Sequence, residues 1–212
     1  MPLEKVQALN AARLTVLRAQ LTPLLETKLP ITLEIGSGHG HFLTAYAGHH
    51  PDKFCIGIDL LADRLERSAR KSKRAQLANI AWLHAEAGLF LEALPEDVAL
   101  REIFVLFPDP WPKRRHWKNR LIQPAFLSLL AQRAGEHCRL YFRTDHAPYF
   151  DHAKAVIHEH AGWTLSDSTP WPFELATVFQ ERAAEGYQSL AAIKACVKSP
   201  ECSVPVTTSN KR

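Results

Sequence analysis

The chain has 212 residues, 46% of them hydrophobic and 23% charged, with a formal net charge of +4. This composition predicts a soluble globular protein, because a chain of this length and apolar content can bury a full core. No apolar run approaches the roughly 20 residues of a membrane-spanning helix, and the N-terminus lacks the pattern of a secretory signal, so we expect a cytoplasmic protein without membrane contact.

The cysteines and histidines do not follow a metal-binding pattern. Cys55, Cys138, Cys196 and Cys202 lack CxxC spacing, which favours free thiols in a reducing compartment. The eleven histidines do not pair with cysteines or carboxylates at familiar ligand spacing. The sequence therefore predicts neither a disulfide framework nor a metal site.

The first half of the chain alternates predicted helices and strands. Residues 4–21 predict a leading amphipathic helix, with inward positions at Val6, Leu9, Ala12 or Arg13, and Val16 or Leu17. Strands are predicted at 31–35, 54–59, 80–84 and 102–107, and helices at 42–48, 63–77 and 89–94. In the helix at 63–77, the expected inward positions are Leu61, Leu65, Ala69 and Leu77.

The second half continues the alternation. Helices are predicted at 124–134, 148–161 and 186–197, and strands at 139–144, 163–168 and 175–181. Such alternation favours a doubly wound, mostly parallel sheet of the α/β class. The polar stretch 199–212 has no periodicity, so we expect a disordered tail.

The most distinctive segment is FPDPWPKRRHWKNR at residues 107–120. Prolines on both sides of Asp109 fix the backbone, so this acid is expected on a stiff and buried segment beyond a strand. Cations and indoles follow it: Lys113, Arg114, Arg115, Lys118, Arg120, Trp111 and Trp117. They predict a nucleic-acid surface, although a solvated loop has the same composition. A second cationic cluster at 64–74 also suggests a polyanionic partner.

Acids and glycines fall at the predicted carboxyl ends of strands, where open α/β sheets bind ligands. The GxGxG turn at 36–40 predicts a ligand-binding loop or only a tight connection. Asp59 could accept ribose hydroxyls or cap a helix. Glu34, inside an apolar strand, needs a partner, which a cationic cofactor such as S-adenosylmethionine would supply.

Five motifs together resemble the tRNA (guanine-N7)-methyltransferase family: ExGxGxG at 34–40, GID at 57–59, FPDPWPKRRHxK at 107–118, TD at 144–145 and TxFQER at 177–182. The resemblance covers about residues 30–195. It implies a Rossmann-like, seven-stranded class I methyltransferase fold, with a leading helix in residues 1–30 and the methyltransferase domain at 31–198. It also implies methyl transfer from S-adenosylmethionine to N7 of guanosine 46 in the tRNA variable loop.

The resemblance further implies the site residues. Asp109 would be catalytic, and the cofactor would contact Glu34, Gly36, Gly38, Gly40, Asp59, Glu86 and Asp109. The tRNA would contact Lys113, Arg115, Asp145, Thr177, Val178, Phe179 and Gln180. In two places the chain departs from the family pattern: Gln180 stands where a Glu is usual, and Asn119 where a second Arg is usual.

Guanine N7 already has a free lone pair at neutral pH, so Asp109 need not act as a base. It is expected either to accept hydrogen bonds from the guanine N1–H and amino group or to stabilise the cationic product. Competing interpretations are a methyltransferase of the same fold with another substrate, a non-catalytic RNA-binding protein, and an NAD oxidoreductase, which the glycine spacing disfavours. The sequence does not define an oligomeric state.

Overall fold

The computed structural model describes residues 3–26, 30–175 and 186–195. The helices are α1 (Leu3–Leu24), α2 (His41–His49), α3 (Ala62–Arg74), α4 (Ala87–Ala93), α5 (Pro124–Arg133) and α6 (Ala147–Glu159), and a 3₁₀ helix covers Arg114–Asn119. The strands are β1 (Ile31–Ile35), β2 (Phe54–Asp59), β3 (Ile80–His84), β4 (Leu100–Leu106), β5 (Ala134–Thr144), β6 (Trp163–Leu165) and β7 (Gln188–Lys194).

The seven strands form one sheet in the order β3-β2-β1-β4-β5-β7-β6. The first five are parallel, and β7 runs antiparallel to both β5 and β6. The strand order reverses between β1 and β4, which creates a crevice at their carboxyl ends. The prediction of a mostly parallel, seven-stranded α/β sheet is confirmed.

The last described element differs from the prediction. Residues 186–197 were expected to form a helix, yet Gln188–Lys194 is strand β7. Its alanines favour a helix, but β7 lies between β5 and β6 and forms backbone hydrogen bonds with both, so tertiary pairing overrides local propensity. The predicted strand at 175–181 lies almost wholly outside the described residues, as does the tail at 199–212. The proposed limits of the methyltransferase domain stay a prediction.

The inward faces of two helices agree with the prediction only in part: Leu17 and Leu65, which were expected to point inward, are buried, but other positions differ. In α1, Val16 is 57% exposed and Leu9 is 42% exposed, whereas Leu17 and Leu21 are buried in the main core. In α3, Leu61 and Ala69 are exposed and Leu77 is half-buried; the buried residues are Leu65, Ser68 and Ser72. Ser68 is small enough to let α3 approach the glycine turn closely, and Ser72 accepts a hydrogen bond from Trp82 of β3. A hydrophobic periodicity does not reveal such contacts.

In the described ranges, no helix combines the length and apolar character needed to cross a bilayer. The same ranges contain no cluster of three or more His, Cys, Asp and Glu side chains suited to a metal ion. Cys55 and Cys138 are free and buried, and burial raises the pKa of each thiol to about 12.

Candidate active site

The candidate site begins where β1 ends. All five residues of β1 are buried, and the chain turns immediately afterwards at Gly36. The N–H groups of Gly36 and Ser37 both donate 2.9 Å hydrogen bonds to the carbonyl of Ile58 in the neighbouring strand β2. The turn is therefore fastened to β2 at the crevice where the strand order reverses.

The turn requires glycine at Gly40 for two reasons. Its φ is +64°, a left-handed conformation that costs an L-residue roughly 1–2 kcal/mol. A Cβ at this position would lie 2.5 Å from Cη2 of Trp82 and 2.7 Å from Cβ of Ser68. At Gly36 and Gly38, whose φ values are also positive, a Cβ would meet no atom within 4 Å, so the turn borders open space there.

Asp59 ends β2 and holds the same turn. Its Oδ2 accepts a 2.8 Å hydrogen bond from the Gly38 N–H, and its Oδ1 accepts a 2.9 Å bond from the Leu61 N–H. The N-cap of α3 is Leu61, so Asp59 is not the capping residue that the sequence left open. A carboxylate has about four acceptor positions, so this one retains capacity for further donors such as hydroxyl groups.

Glu34 is the fourth of the five residues of β1 and is 3% exposed. Burial raises the pKa of its carboxyl group to about 8, a backbone hydrogen bond from Leu43 opposes that rise, and the charge of Asp59 adds to it. Its Oε2 is buried without a hydrogen-bond partner. A buried acid with an unsatisfied oxygen is costly, so this position favours a ligand that brings a donor or a positive charge.

Two hydroxyl groups beside the turn are also buried without a hydrogen-bond partner. Ser37 Oγ and Thr44 Oγ1 are buried and lack a hydrogen-bond partner, and the Thr44 N–H bonds to the Gly40 carbonyl. Sequence reasoning missed both residues, because a single hydroxyl carries no pattern. Together with Glu34 and Asp59 they form a polar cradle that fits S-adenosylmethionine, which has a sulfonium, an ammonium group and two ribose hydroxyls.

The segment that carries Asp109 follows β4, the strand next to β1. Phe107 and Trp111, on either side of it, have positive φ values of 49° and 44°. Such conformations are uncommon outside glycine and occur at functional sites, where surrounding contacts enforce them. Here the Phe107 N–H donates a 2.7 Å bond to the Arg143 carbonyl, and Arg120 Nε donates a 2.9 Å bond to the Pro110 carbonyl.

The prediction that Asp109 is buried was wrong, because its side chain is exposed. A segment that is rigid and exposed presents the carboxylate to solvent at the crevice. Asp145 is also exposed, directly after β5. Asp109 and Asp145 therefore follow adjacent parallel strands at the same edge of the sheet.

The cations of residues 107–120 divide into two groups. Lys113, Arg114, Arg115 and Lys118 are exposed along the 3₁₀ helix, as a nucleic-acid surface requires. Arg120 is only 2% exposed, so its assignment to that surface was wrong. It donates to the carbonyls of Pro110 and Pro148, and its guanidinium lies 4.3 Å from the ring of Trp117. Trp117 and Trp111 are both half-buried.

One predicted cofactor residue, Glu86, is not brought into the cradle. Glu86 is exposed and caps α4, because its Oε2 accepts a 3.0 Å bond from the Leu89 N–H. It lines a groove of about 460 Å³ between α1 and α4 with Asn10 and Arg13. A cofactor role for Glu86 stays a prediction. Residues 177–180 lie outside the described part of the chain.

Arg143 is a buried residue that sequence reasoning missed. Its guanidinium forms a two-bond ion pair with Glu174 at 2.9 and 3.1 Å, and it lies 3.9 Å from the ring of Trp171 and 4.5 Å from that of Tyr187. Arg143 therefore connects Trp171 and Glu174 on one side, and Tyr187 on the other, to the end of β5. In sequence it resembled an ordinary strand-end cation.

Comparison with known proteins agrees with this geometry. A family model with the description "Putative methyltransferase" matches residues 28–189. The tRNA (guanine-N(7)-)-methyltransferase of Nitrosococcus oceani is 35% identical over 131 residues, which are 62% of this chain and 56% of the relative. The enzyme of the same name from Idiomarina loihiensis is 31% identical over 173 residues, 80% of this chain and 71% of the relative. The chain thus spans little more than half of the first relative's length.

Solved structures show the same fold at low identity. The aminoglycoside resistance methyltransferase NpmB1 gives a TM-score of 0.58 at 17% identity and covers 84% of this chain and 93% of its own. The 16S rRNA methyltransferase KamB gives a TM-score of 0.58 at 18% identity, with 82% and 93% covered. Since a methyltransferase model matches residues 28–189 and the Idiomarina loihiensis enzyme is 31% identical over 71% of its own length, the chain belongs to the tRNA (guanine-N7)-methyltransferase family.

Proposed function

We propose that the protein is a cytoplasmic, S-adenosylmethionine-dependent methyltransferase that forms N7-methylguanosine at position 46 of the tRNA variable loop. One observation carries the proposal: the cradle with its unsatisfied Glu34 and the rigid Asp109 segment follow adjacent strands, β1 and β4, at the crevice of the sheet. The names of the relatives supply the substrate class.

On the cofactor side, Asp59 would accept the ribose hydroxyls while it keeps its bonds to the turn. Glu34, Ser37 and Thr44 would provide polar contacts for the cationic amino acid part. Gly36 and Gly38 leave open space in which a ligand could approach the backbone. S-adenosylmethionine, when bound, supplies an electrophilic methyl group on its sulfonium.

On the RNA side, the exposed Lys113 and Arg115 would bind phosphates beside the crevice. Asp145, and Thr177, Val178, Phe179 and Gln180 outside the described residues, would contact the nucleotide. Phosphate contacts position an RNA without reading its bases, so recognition of the guanine must come from groups at the crevice.

Asp109 is the group best placed for that recognition. Its exposed carboxylate can accept hydrogen bonds from the guanine N1–H and amino group. As N7 gains the methyl group the purine ring becomes cationic, and a fixed carboxylate nearby stabilises the developing charge. No proton needs to be removed before the transfer, so the chain's main contribution is alignment of the two reactants.

The test is nucleoside analysis of tRNA that lacks the modification, after incubation with the protein and labelled cofactor. We expect label in N7-methylguanosine at position 46, and none when the target is changed to adenosine. Retention of the cofactor without labelled nucleoside would favour another substrate. If the cofactor does not raise the melting temperature either, a non-catalytic RNA-binding protein becomes the better interpretation.

A further inference from the structure

We propose that one face of α3 is a second phosphate-binding surface for the RNA, separate from the cations of the 3₁₀ helix. The face consists of Arg64, Arg67, Lys71 and Arg74, and we call it the α3 stripe. The inference rests on the proposed function, because it assigns part of the tRNA footprint to a helix with no role in the proposal above.

The spacing places these four cations on one side of the helix. Residues three and four apart are neighbours on an α-helix, so positions 64, 67, 71 and 74 form a continuous row. The row itself contains no acid, and Asp63, four residues before Arg67, lies beside it. Leu65, Ser68 and Ser72 make up the buried face, so the stripe borders solvent. A purely solubilising face does not require cations to be collected in this way.

Contacts with the glycine turn show which way the stripe faces. Lys71 Nζ donates a 2.8 Å hydrogen bond to the His39 carbonyl, and Arg67 Nη1 lies 3.5 Å from Nε2 of the same histidine. Ser68 Oγ, on the buried face, donates to the Gly38 carbonyl at 3.2 Å. The stripe therefore lies along the edge of the cradle.

Carboxylates do not neutralise the stripe. Among the residues that the structure describes, Lys53–Glu102 and Arg143–Glu174 are ion pairs, and the four cations of the stripe form none with a described carboxylate. Arg67 and Arg74 are exposed. Unpaired, exposed cations retain their full capacity to attract phosphates and to displace counterions from a nucleic acid.

The topology places the two cationic surfaces on opposite sides of the cradle. The α3 helix follows β2, the 3₁₀ helix follows β4, and β1 lies between these two strands. Since neighbouring strands are about 4.8 Å apart, the ends of β2 and β4 are separated by roughly 10 Å. An RNA that presents a base at the crevice would therefore have backbone within reach of both surfaces.

The experiment compares two double variants with the same change in charge. Arg67→Gln/Arg74→Gln removes two cations of the stripe, whereas the control Arg18→Gln/Arg101→Gln removes two exposed arginines from α1 and β4. Affinity for unmodified tRNA is measured at several salt concentrations, and cofactor affinity by calorimetry. The stripe variant should bind tRNA at least about fivefold more weakly, with a log–log salt slope shallower by about two, while the control stays near wild type.

Three results would overturn the inference: equal tRNA affinity and salt slope in the stripe variant and wild type, equal losses in both variants, or a loss of cofactor affinity that accounts for the defect. The binding measurement does not depend on turnover. If the wild type forms no N7-methylguanosine but the stripe variant alone loses tRNA affinity, the proposed activity is refuted while the proposed RNA-binding surface is supported.

Discussion

The backbone N–H of Gly38 donates a 2.8 Å hydrogen bond to the carboxylate of Asp59, so the glycine turn after β1 is held by the acid that ends β2. The second oxygen of Asp59 holds the Leu61 N–H, one residue before α3 begins. One side chain thus fixes both connections that border the cradle.

Replacement of Asp59 by alanine should affect both stability and cofactor binding. Two backbone N–H groups lose their acceptor, which should cost about 1–3 kcal/mol of unfolding free energy. The cofactor Kd should rise at least about tenfold, measured by calorimetry. Asp59→Asn keeps one acceptor oxygen, so its unfolding free energy and its cofactor Kd should lie between those of the wild type and Asp59→Ala. A folded Asp59→Ala protein with wild-type cofactor affinity would exclude Asp59 from the ribose site.

Glu34→Gln should stabilise the ligand-free protein at alkaline pH. The pKa of Glu34 is raised from 4.5 to about 8 in the folded protein, so the folded state keeps a proton that the unfolded state loses. Stability therefore falls by on the order of 5 kcal/mol as pH rises through this interval, and it levels off above it. The difference in melting temperature between variant and wild type should be small at pH 4 and largest near pH 9.

With cofactor present, the order of stability should reverse if Glu34 meets a cationic group. Glu86→Gln, at an exposed cap, is the control and should show no comparable alkaline gain. A pH-independent difference for Glu34→Gln would show that the glutamate is not protonated in the folded state.

Gly40→Ala and Gly48→Ala form a matched pair. At Gly40 the positive φ and the Cβ contacts of 2.5–2.7 Å with Trp82 and Ser68 should distort the turn, so cofactor binding should fall strongly. At Gly48, inside α2, the nearest atom would be 3.8 Å away, and the change should be neutral or stabilise the protein by up to about 1 kcal/mol. Equal cofactor affinity in both variants would contradict the role of the turn.

Asp109→Asn should lower methyl transfer about 100-fold or more, because the amide carries no charge for the cationic product and presents a donor to the guanine edge. The cofactor Kd should change less than about threefold. Asp151→Asn, an exposed change of equal charge on α6, should leave the rate near wild type. Near-normal turnover of Asp109→Asn would remove Asp109 from catalysis.

Lys53→Met should destabilise the fold, because Lys53 pairs with Glu102 near the start of β4, away from the candidate site. Glu102 there accepts hydrogen bonds from Lys53 at 2.9 and 3.0 Å and from Tyr46 at 2.7 Å. Loss of the ammonium leaves a buried carboxylate unpaired, at a cost of roughly 3–5 kcal/mol of unfolding free energy. These bonds hold the pKa of Glu102 below its ordinary 4.5, so the stabilisation is present above pH 4.5 and is lost as pH falls further.

The double variant Lys53→Met/Glu102→Gln should recover part of the lost stability, because it removes the unpaired charge. Denaturant unfolding at pH 7 measures both variants. A double variant no more stable than Lys53→Met would mean that the hydrogen-bond geometry, and not the charge, matters most.

Strands β1, β2 and β3 could be predicted to the residue, because each is a short apolar run bounded by glycine, proline or polar residues. Strand β7 could not, since alanine has no preference strong enough to outweigh pairing on both sides. The acids Glu34, Asp59 and Asp109 were identified from their places at or near strand ends. The exposure of Asp109 was not predicted, because the burial of a loop residue depends on what packs around the loop.

The burial of two arginines was also not predicted. Arg120 and Arg143 look like surface cations in sequence, and only the folded chain surrounds them with aromatic rings and carbonyls. Ser68 and Ser72 had no apolar signature either, although both are buried and Ser68 contacts the glycine turn. Contacts between residues distant in sequence decide such cases, and no local pattern encodes them.

The position of Trp82 has an experimental consequence. Its ring lies where a Cβ on Gly40 or Gly57 would be, and its Nε1–H donates to Ser72 on α3. The indole is thus surrounded by the glycine turn, β2 and α3, and small movements of the turn alter its environment. Emission from this tryptophan, isolated by subtracting the spectrum of a Trp82→Phe variant, is a built-in optical signal for occupancy of the cradle.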